Sequence, residues 1–109
     1  MINWNDFEKV EMRVGTITAV IDFPKAIKPA YQLIIDFGEE IGIKKASAQI
    51  TKRYSNEDLI GKQIIAVINF PKKQIGKFYS ECLVLGTVNG EEVVLLTSDL
   101  KVKNGLRVG

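Results

Sequence analysis

An apolar pattern that changes parity midway through residues 10–23 constrains the fold more than any other feature of this chain. Up to Val14 the apolar residues fall on even positions, whereas from Ile17 to Ile21 odd positions carry the pattern. Strand side chains alternate strictly, so the change predicts a bulge or sharp bend, and Gly15 at the switch suits it best. A long first strand that bends to serve two faces is typical of a small closed barrel.

The remaining pattern predicts short strands, with one helix after the third. Ser55 and Asp58 have the spacing of a capping box, and Gly61 can end that short helix. The pair Asn89-Gly90 is a hairpin signal. We expect strands over residues 10–23, 30–37, 45–51, 62–69 and 80–88, followed by 91–97, and a short strand pair within 98–109.

This order of elements predicts an all-β OB-fold, a five-stranded Greek-key barrel with one short helix and N- and C-terminal extensions. An SH3-like barrel or a split sandwich has similar strand spacing, and the position of the helix favours the OB-fold. Trp4 and Phe7 indicate a further helical turn before the barrel, capped by Asn5 or Asp6. We expect one domain over residues 1–109, with terminal extensions at 1–9 and 98–109.

The composition argues against an enzyme. The chain has no histidine and one cysteine, so it lacks the parts of a catalytic triad and of the usual zinc sites. Its glycines fit neither common phosphate-loop spacing, so we expect no cofactor, no metal and no nucleotide. Cys82 is expected to be a core thiol, and the absence of a disulfide pair predicts a reducing, cytoplasmic location. No apolar run reaches the length of a membrane span and no secretory signal is visible, so we expect no membrane insertion.

Charge is distributed unevenly along the chain. The net charge is +2, but residues 44–79 carry eight basic side chains against two acids. The remainder carries seven basic residues against eleven acids. This asymmetry predicts a basic face. The alternative is that the lysines simply occupy exposed strand faces and edges.

The loops that join strands one to two and four to five flank the ligand face of an OB barrel. Here they span residues 22–29 and 70–79, which hold lysines next to aromatic residues. Cations attract phosphates, and aromatic faces take unstacked bases or apolar side chains. The candidate residues for binding peptide or RNA are Lys25, Lys28, Lys44, Lys45, Lys52, Arg53, Phe70, Lys72, Lys73, Lys77, Phe78 and Tyr79. For each aromatic residue, a place in the core is the alternative.

Two further predictions concern single residues and the chain ends. Arg13 is expected to form a structural ion pair with an acid such as Glu81, or else to contact a ligand. The apolar residues of the two extensions are surplus to a five-stranded barrel, so they predict a patch that a second copy would cover. These candidate dimer-interface residues are Trp4, Phe7, Leu106 and Val108. The alternative is that they plug one end of a monomeric barrel.

Several segments resemble a known family. Residues 6–17, DFEKVEMRVGTI, resemble the opening of the EMAP II-like tRNA-binding domain, and residues 80–85, SECLVL, resemble the Ser-Glu motif on its later strand. Residues 36–44, 47–51 and 69–71 are similar to the CsaA-type export chaperones of this family. The resemblance implies an OB-fold homodimer with its interface at the termini. It also implies holding of unfolded or precursor polypeptides for export, and structure-dependent tRNA binding.

The leading hypothesis is therefore a non-enzymatic, dimeric, cytoplasmic chaperone that holds polypeptides without ATP. The alternative is a tRNA-binding protein that acts in trans through the same face, and the third is a purely structural assembly factor. The expected partners are a second copy of the chain, unfolded or precursor polypeptides and tRNA, with secretion-pathway proteins as further candidates.

Overall fold

The computed structural model describes residues 1–23 and 28–109. Two short helices and a series of strands make up this part of the chain. The helices are α1 (Trp4–Glu8) and α2 (Asn56–Leu59). The strands are β1 (Met12–Asp22), β2 (Tyr31–Asp36), β3 (Ile43–Ala48), β4 (Gln63–Val67), β5 (Lys73–Ile75), β6 (Phe78–Ser80), β7 (Leu83–Val84), β8 (Gly86–Asn89) and β9 (Glu92–Leu95).

Five of these strands form an antiparallel sheet in the order β3-β2-β1-β4-β7. The sheet curls until β3 meets the segment between β6 and β7, where the Glu81 N–H donates to the Lys45 carbonyl over 2.8 Å. This contact nearly closes the barrel, with α2 following β3. The prediction of an all-β OB-fold is confirmed.

The bulge that the parity change predicted is present in β1, but at a different position. The register of β1 against β2 shifts between Ile17 and Ala19, so the bulge lies three residues beyond Gly15. Gly15 is instead required by the packing of the core. A Cβ there would lie 2.7 Å from Ile35 Cγ2 and 2.8 Å from the Phe37 ring. Any side chain at position 15 would therefore overlap the core.

The barrel interior holds the core. Its largest fully buried side chains come from β1, β2, β4 and α2 and from the residue that follows β2, and they are Ile17, Leu33, Ile35, Phe37, Leu59 and Ile64. The two strands on either side of β1 therefore share one apolar interior with the helix. Burial of this kind is the main favourable contribution to folding.

Both helices begin with a capping box. The predicted box of Ser55 and Asp58 is confirmed, and hydrogen bonds from Ser55 lower the pKa of the Asp58 carboxyl. In α1, however, the cap is Asn3, whose side chain accepts from the Asp6 N–H over 2.9 Å. The prediction of Asn5 or Asp6 as the cap was wrong. Asp6 is the third helical residue, and its carboxylate accepts a hydrogen bond from the Asn3 N–H.

The second half of the chain forms more and shorter strands than its apolar pattern predicted. The expected strand over residues 80–88 is divided among β6, β7 and β8, and the segment before it forms a hairpin of β5 and β6. The predicted Asn89-Gly90 hairpin is present as β8 and β9. A β-carbon at Gly86 would lie 2.6 Å from Val93 Cγ1 and 2.8 Å from the Val94 carbonyl oxygen, which shows how closely this hairpin packs.

The tail forms no strand pair within residues 98–109. It makes an isolated bridge between Arg13 and Arg107 and runs along the outer side of β1. The Val14 N–H donates to the Leu106 carbonyl over 3.0 Å, and the Gly105 N–H donates to the Val14 carbonyl over 2.7 Å. Residues 105–108 of the tail are therefore hydrogen-bonded to β1. No helix within residues 1–23 and 28–109 has the length and apolar character needed to span a membrane.

Candidate functional site

A groove of about 330 Å³ lies where the β5–β6 hairpin approaches β3 and the start of β7. We call it the hairpin groove. Its lining is Ser47, Phe70, Pro71, Lys73, Ile75, Ser80, Cys82 and Leu83. It is lined mainly by apolar side chains, with two hydroxyls and one cation.

Two of these apolar side chains are open to water. Phe70 is 55% exposed and Leu83 is 48% exposed, while Ile75, on β5 of the hairpin, is half-buried. Exposed apolar residues that share a concave surface are a common sign of a binding site. The groove can therefore accept an apolar side chain or the face of a base.

The register of the hairpin decides which of its residues face the groove. Lys73 pairs with Ser80 and Ile75 with Phe78, whereas Gln74 pairs with Tyr79. Because paired residues share one face of a sheet and neighbours alternate, Tyr79 lies on the side away from the groove. Tyr79 is 45% exposed, but it is separated from Phe70 and Lys73.

Phe78 joins the hairpin to the barrel. Its ring meets the buried Phe23 ring edge-on at 5.2 Å between centroids, and Lys45 Nζ lies 5.4 Å from the Phe78 centroid. The end of β1 and the hairpin therefore converge at this contact. Phe78 is half-buried and packs against Phe23 and Lys45, so its position is close to that of a core residue. Phe70, in contrast, is exposed.

The cations that the sequence grouped together form two clusters. The first, which we call the groove cluster, surrounds the hairpin and has Glu81 as its acid, 3.7 Å from Lys72 Nζ. Its cations are Lys45, Lys72, Lys73 and Lys77. Lys73 and Lys77 are exposed, and within residues 1–23 and 28–109 neither has an acid at salt-bridge distance.

The second cluster lies beside the β8–β9 hairpin. Lys52 Nζ is 3.8 Å from a Glu91 carboxylate oxygen, and Arg53 Nη1 is 3.7 Å from one of Glu92. Exposed pairs of this kind add little stability, but they cancel the local charge. Lys28 lines a separate hollow with Lys52, Lys44 is half-buried on β3, and Lys25 lies outside the described residues.

Comparison with known proteins identifies the family. The family model described as a putative tRNA binding domain matches residues 12–107. The CsaA chaperone protein of Picrophilus torridus has a solved structure that is 54% identical over the full length of both chains, with a TM-score of 0.95. The chain belongs to the tRNA-binding-domain family, within its CsaA-type group. The structure of the chaperone CsaA from Bacillus anthracis is 50% identical, also with a TM-score of 0.95, and covers 100% of this chain and 99% of that one.

The matched curated relatives are much longer proteins. The methionine–tRNA ligase of Thermococcus onnurineus is 34% identical over 107 residues, which are 98% of this chain and 14% of the ligase. The ligase of Pyrococcus horikoshii is 36% identical over the same shares. The chain thus spans about one seventh of the length of these relatives, and the similarity concerns that part of them alone.

The Ser-Glu motif of this family closes the barrel here. The Ser80 hydroxyl accepts from the Ser47 N–H over 3.1 Å, and Glu81 Oε1 accepts from the Lys45 N–H over 3.0 Å. Both contacts replace strand pairing along the edge of β3. These contacts could not be predicted from the sequence, because the partners of Ser80 and Glu81 lie more than thirty positions away.

Arg13 has the structural role that was expected, with a different partner. Its Nη2 lies 2.9 Å from Glu11 Oε1, and its Nη1 donates to the Gly105 carbonyl over 2.9 Å. The suggested pairing with Glu81 was wrong, because Glu81 lies at the opposite seam of the barrel beside Lys45. Arg13 ties the tail to β1.

Cys82 is the buried thiol that was predicted, at the floor of the groove. It is 6% exposed, and burial raises the pKa of its thiol to about 12, with Lys44 opposing the shift. A thiol with such a pKa is protonated at neutral pH and reacts slowly. Cys82 therefore contributes packing.

The two extensions meet on one side of the barrel. Arg107 Nη2 donates to the Glu8 carbonyl over 2.8 Å, and a hollow of about 520 Å³ separates α1 from the tail. The four predicted interface residues remain partly uncovered. Trp4 is 80% and Leu106 48% exposed, while Phe7 and Val108 are half-buried. We call these four residues the terminal patch.

Proposed function

We propose that the protein is a non-enzymatic chaperone that holds extended segments of unfolded polypeptide in the hairpin groove. The observation that carries this proposal is the pair of exposed apolar side chains, Phe70 and Leu83, in one groove with Lys73. An unfolded chain offers apolar side chains without a fixed sequence. An open apolar groove with a charged margin binds such segments with little selectivity.

Two solved structures that resemble this chain over its full length are named as chaperones, which supports the proposal. The clients we propose are precursor polypeptides on their way to export, held in the cytoplasm. The sequence has no phosphate loop, so the holding would not be coupled to ATP.

The decisive test of holding is light scattering from a client that aggregates when it is diluted from denaturant. At one dimer per client chain, we expect the protein to suppress the scattering, with and without ATP. Unchanged scattering at that ratio would remove the chaperone proposal.

The second candidate function is binding of tRNA. Two observations favour it, namely the family to which the chain belongs and the unpaired state of Lys73 and Lys77 among the described residues. Phe70 offers an exposed ring in the same groove as Lys73, on which a base can stack. The two functions use the same surface and do not exclude each other.

Salt dependence provides a quantitative test of tRNA binding. We expect Lys73→Ala with Lys77→Ala to flatten the plot of log affinity against log salt concentration by about 0.7 to 0.9 per lysine, because each lysine releases counterions from a phosphate. The matched control is Lys52→Ala with Arg53→Ala, which removes the same charge from cations that are already paired. Equal flattening by both double variants would contradict the assignment, and failure of tRNA to bind at low salt would remove this candidate.

We also propose that the terminal patch is a dimer interface, so that residues 1–9 and 98–109 act as extensions of one barrel domain. Its support is the exposure of Trp4 near the N-terminus and of Leu106 in the tail, two segments that the hydrogen bond from Arg107 to the Glu8 carbonyl holds together. A large exposed apolar patch on a small domain is usually covered by a partner. A twofold arrangement would let each copy cover the other.

A further inference from the structure

Glu81 stands out among the acids of the chain because it lies inside the groove cluster. Oε1 of its carboxylate accepts from the Lys45 backbone N–H over 3.0 Å, and Oε2 lies 3.7 Å from Lys72 Nζ. The side chain of Glu81 is 20% exposed, whereas that of Lys72 is 67% exposed. The acid is therefore held by the backbone of β3, and the lysine is the exposed member of the pair.

We infer that Glu81 is a fixed countercharge that withholds Lys72 from an anionic ligand, and so sets how many lysines of the groove cluster contact single-stranded nucleic acid. The inference rests on the proposed nucleic-acid function and deepens it. A ligand phosphate can engage Lys72 only by leaving the Glu81 carboxylate without its partner. Lys73 has no such restraint among the residues that the structure describes.

The counterion balance makes this inference measurable. While Lys72 stays at the Glu81 carboxylate, it contacts no phosphate and displaces no counterion from the nucleic acid. Lys72 therefore adds nothing to the salt slope while Glu81 is charged. If Glu81 is made neutral, Lys72 contributes like any other lysine.

The variant Glu81→Gln separates charge from structure. The glutamine amide oxygen can still accept from the Lys45 N–H, so barrel closure is kept while the charge is lost. The control is Glu57→Gln, which changes the net charge equally at an exposed residue of α2, outside the groove cluster. Thermal unfolding of each variant checks that the fold is unchanged.

The probe is an oligouridylate of about 12 nucleotides, within the span that one OB-fold covers. For Glu81→Gln we expect a salt slope steeper by about 0.7, the value for one lysine on a single strand. Its affinity at low salt should rise about threefold, as expected for release of an exposed ion pair. Adding Lys72→Ala to Glu81→Gln should restore the wild-type slope, and Glu57→Gln should leave the slope unchanged. A wild-type slope for Glu81→Gln, or a steep slope that survives the loss of Lys72, would overturn the inference.

A second comparison does not depend on any change at Glu81. Lys72 and Lys73 are both exposed, so neither Lys72→Ala nor Lys73→Ala should disturb the fold. We expect Lys73→Ala to flatten the wild-type slope clearly more than Lys72→Ala does, and equal flattening would overturn the inference. If only Glu81→Gln binds the probe, single-strand binding by the wild type fails while the countercharge role stands. If neither protein binds it, the inference fails, whereas the tRNA proposal fails only if tRNA does not bind at low salt.

Discussion

Phe70→Ser combined with Leu83→Thr is expected to abolish most of the suppression of client aggregation. These two side chains supply the exposed apolar surface of the hairpin groove. Loss of an anchor residue at the centre of a binding site costs about 2 kcal/mol, so we expect the affinity for an unfolded client to fall at least about thirtyfold. The measurement is light scattering over a range of protein concentrations.

The matched control for this variant is Ile60→Ser. Ile60 is 55% exposed, as Phe70 is, but it lies at the end of α2 and does not line the groove. We expect Ile60→Ser to suppress aggregation like the wild type. Threonine is chosen at position 83 because it favours the strand that pairs with Val67, so the melting temperature should change little. Full suppression by the groove variant would show that clients bind elsewhere.

Trp4→Ser combined with Leu106→Ser is expected to convert a dimer into a folded monomer. In a twofold interface each of these side chains occurs twice, so the double variant removes four anchors, and at about 2 kcal/mol each their loss would raise the dissociation constant about a millionfold. Both side chains are exposed within one chain, so their loss should not unfold the barrel. Sedimentation equilibrium across a range of concentrations measures the change.

The control for the dimer prediction is Val88→Ser. Val88 is 77% exposed, close to the 80% of Trp4, but it belongs to the β8–β9 hairpin. We expect this variant to keep the assembly state of the wild type. A wild-type chain that sediments as a monomer at all concentrations, or a terminal variant that remains dimeric, would contradict the proposed interface.

The fold could be predicted from the sequence because its signals are local. The alternation of apolar residues, the capping box of Ser55 and Asp58 and the Asn89-Gly90 turn each act over a few residues. The bulge in β1 was predicted, yet its position was not. The bulge was expected at Gly15, but Gly15 is required for close packing against Phe37. That contact joins residues distant in sequence, so a local pattern does not show it.

The grouping of the candidate site residues was harder to predict, because it depends on partners that are distant in sequence. Glu91 and Glu92 neutralise Lys52 and Arg53 from a hairpin almost forty residues further along the chain. Whether the chosen residues bind a ligand stays a prediction. The separation of Tyr79 from the groove follows from strand alternation, once β6 is known to be a strand.

We propose that one groove, with its exposed apolar residues and its lysines, binds both ligands. Competition tests this claim most directly. A fluorescent unfolded polypeptide is bound to the protein, tRNA is added at low salt, and the anisotropy of the label is followed. We predict that tRNA releases the polypeptide in a concentration-dependent manner, and that Lys73→Ala with Lys77→Ala weakens this release. A stable complex that holds polypeptide and tRNA together would contradict the account.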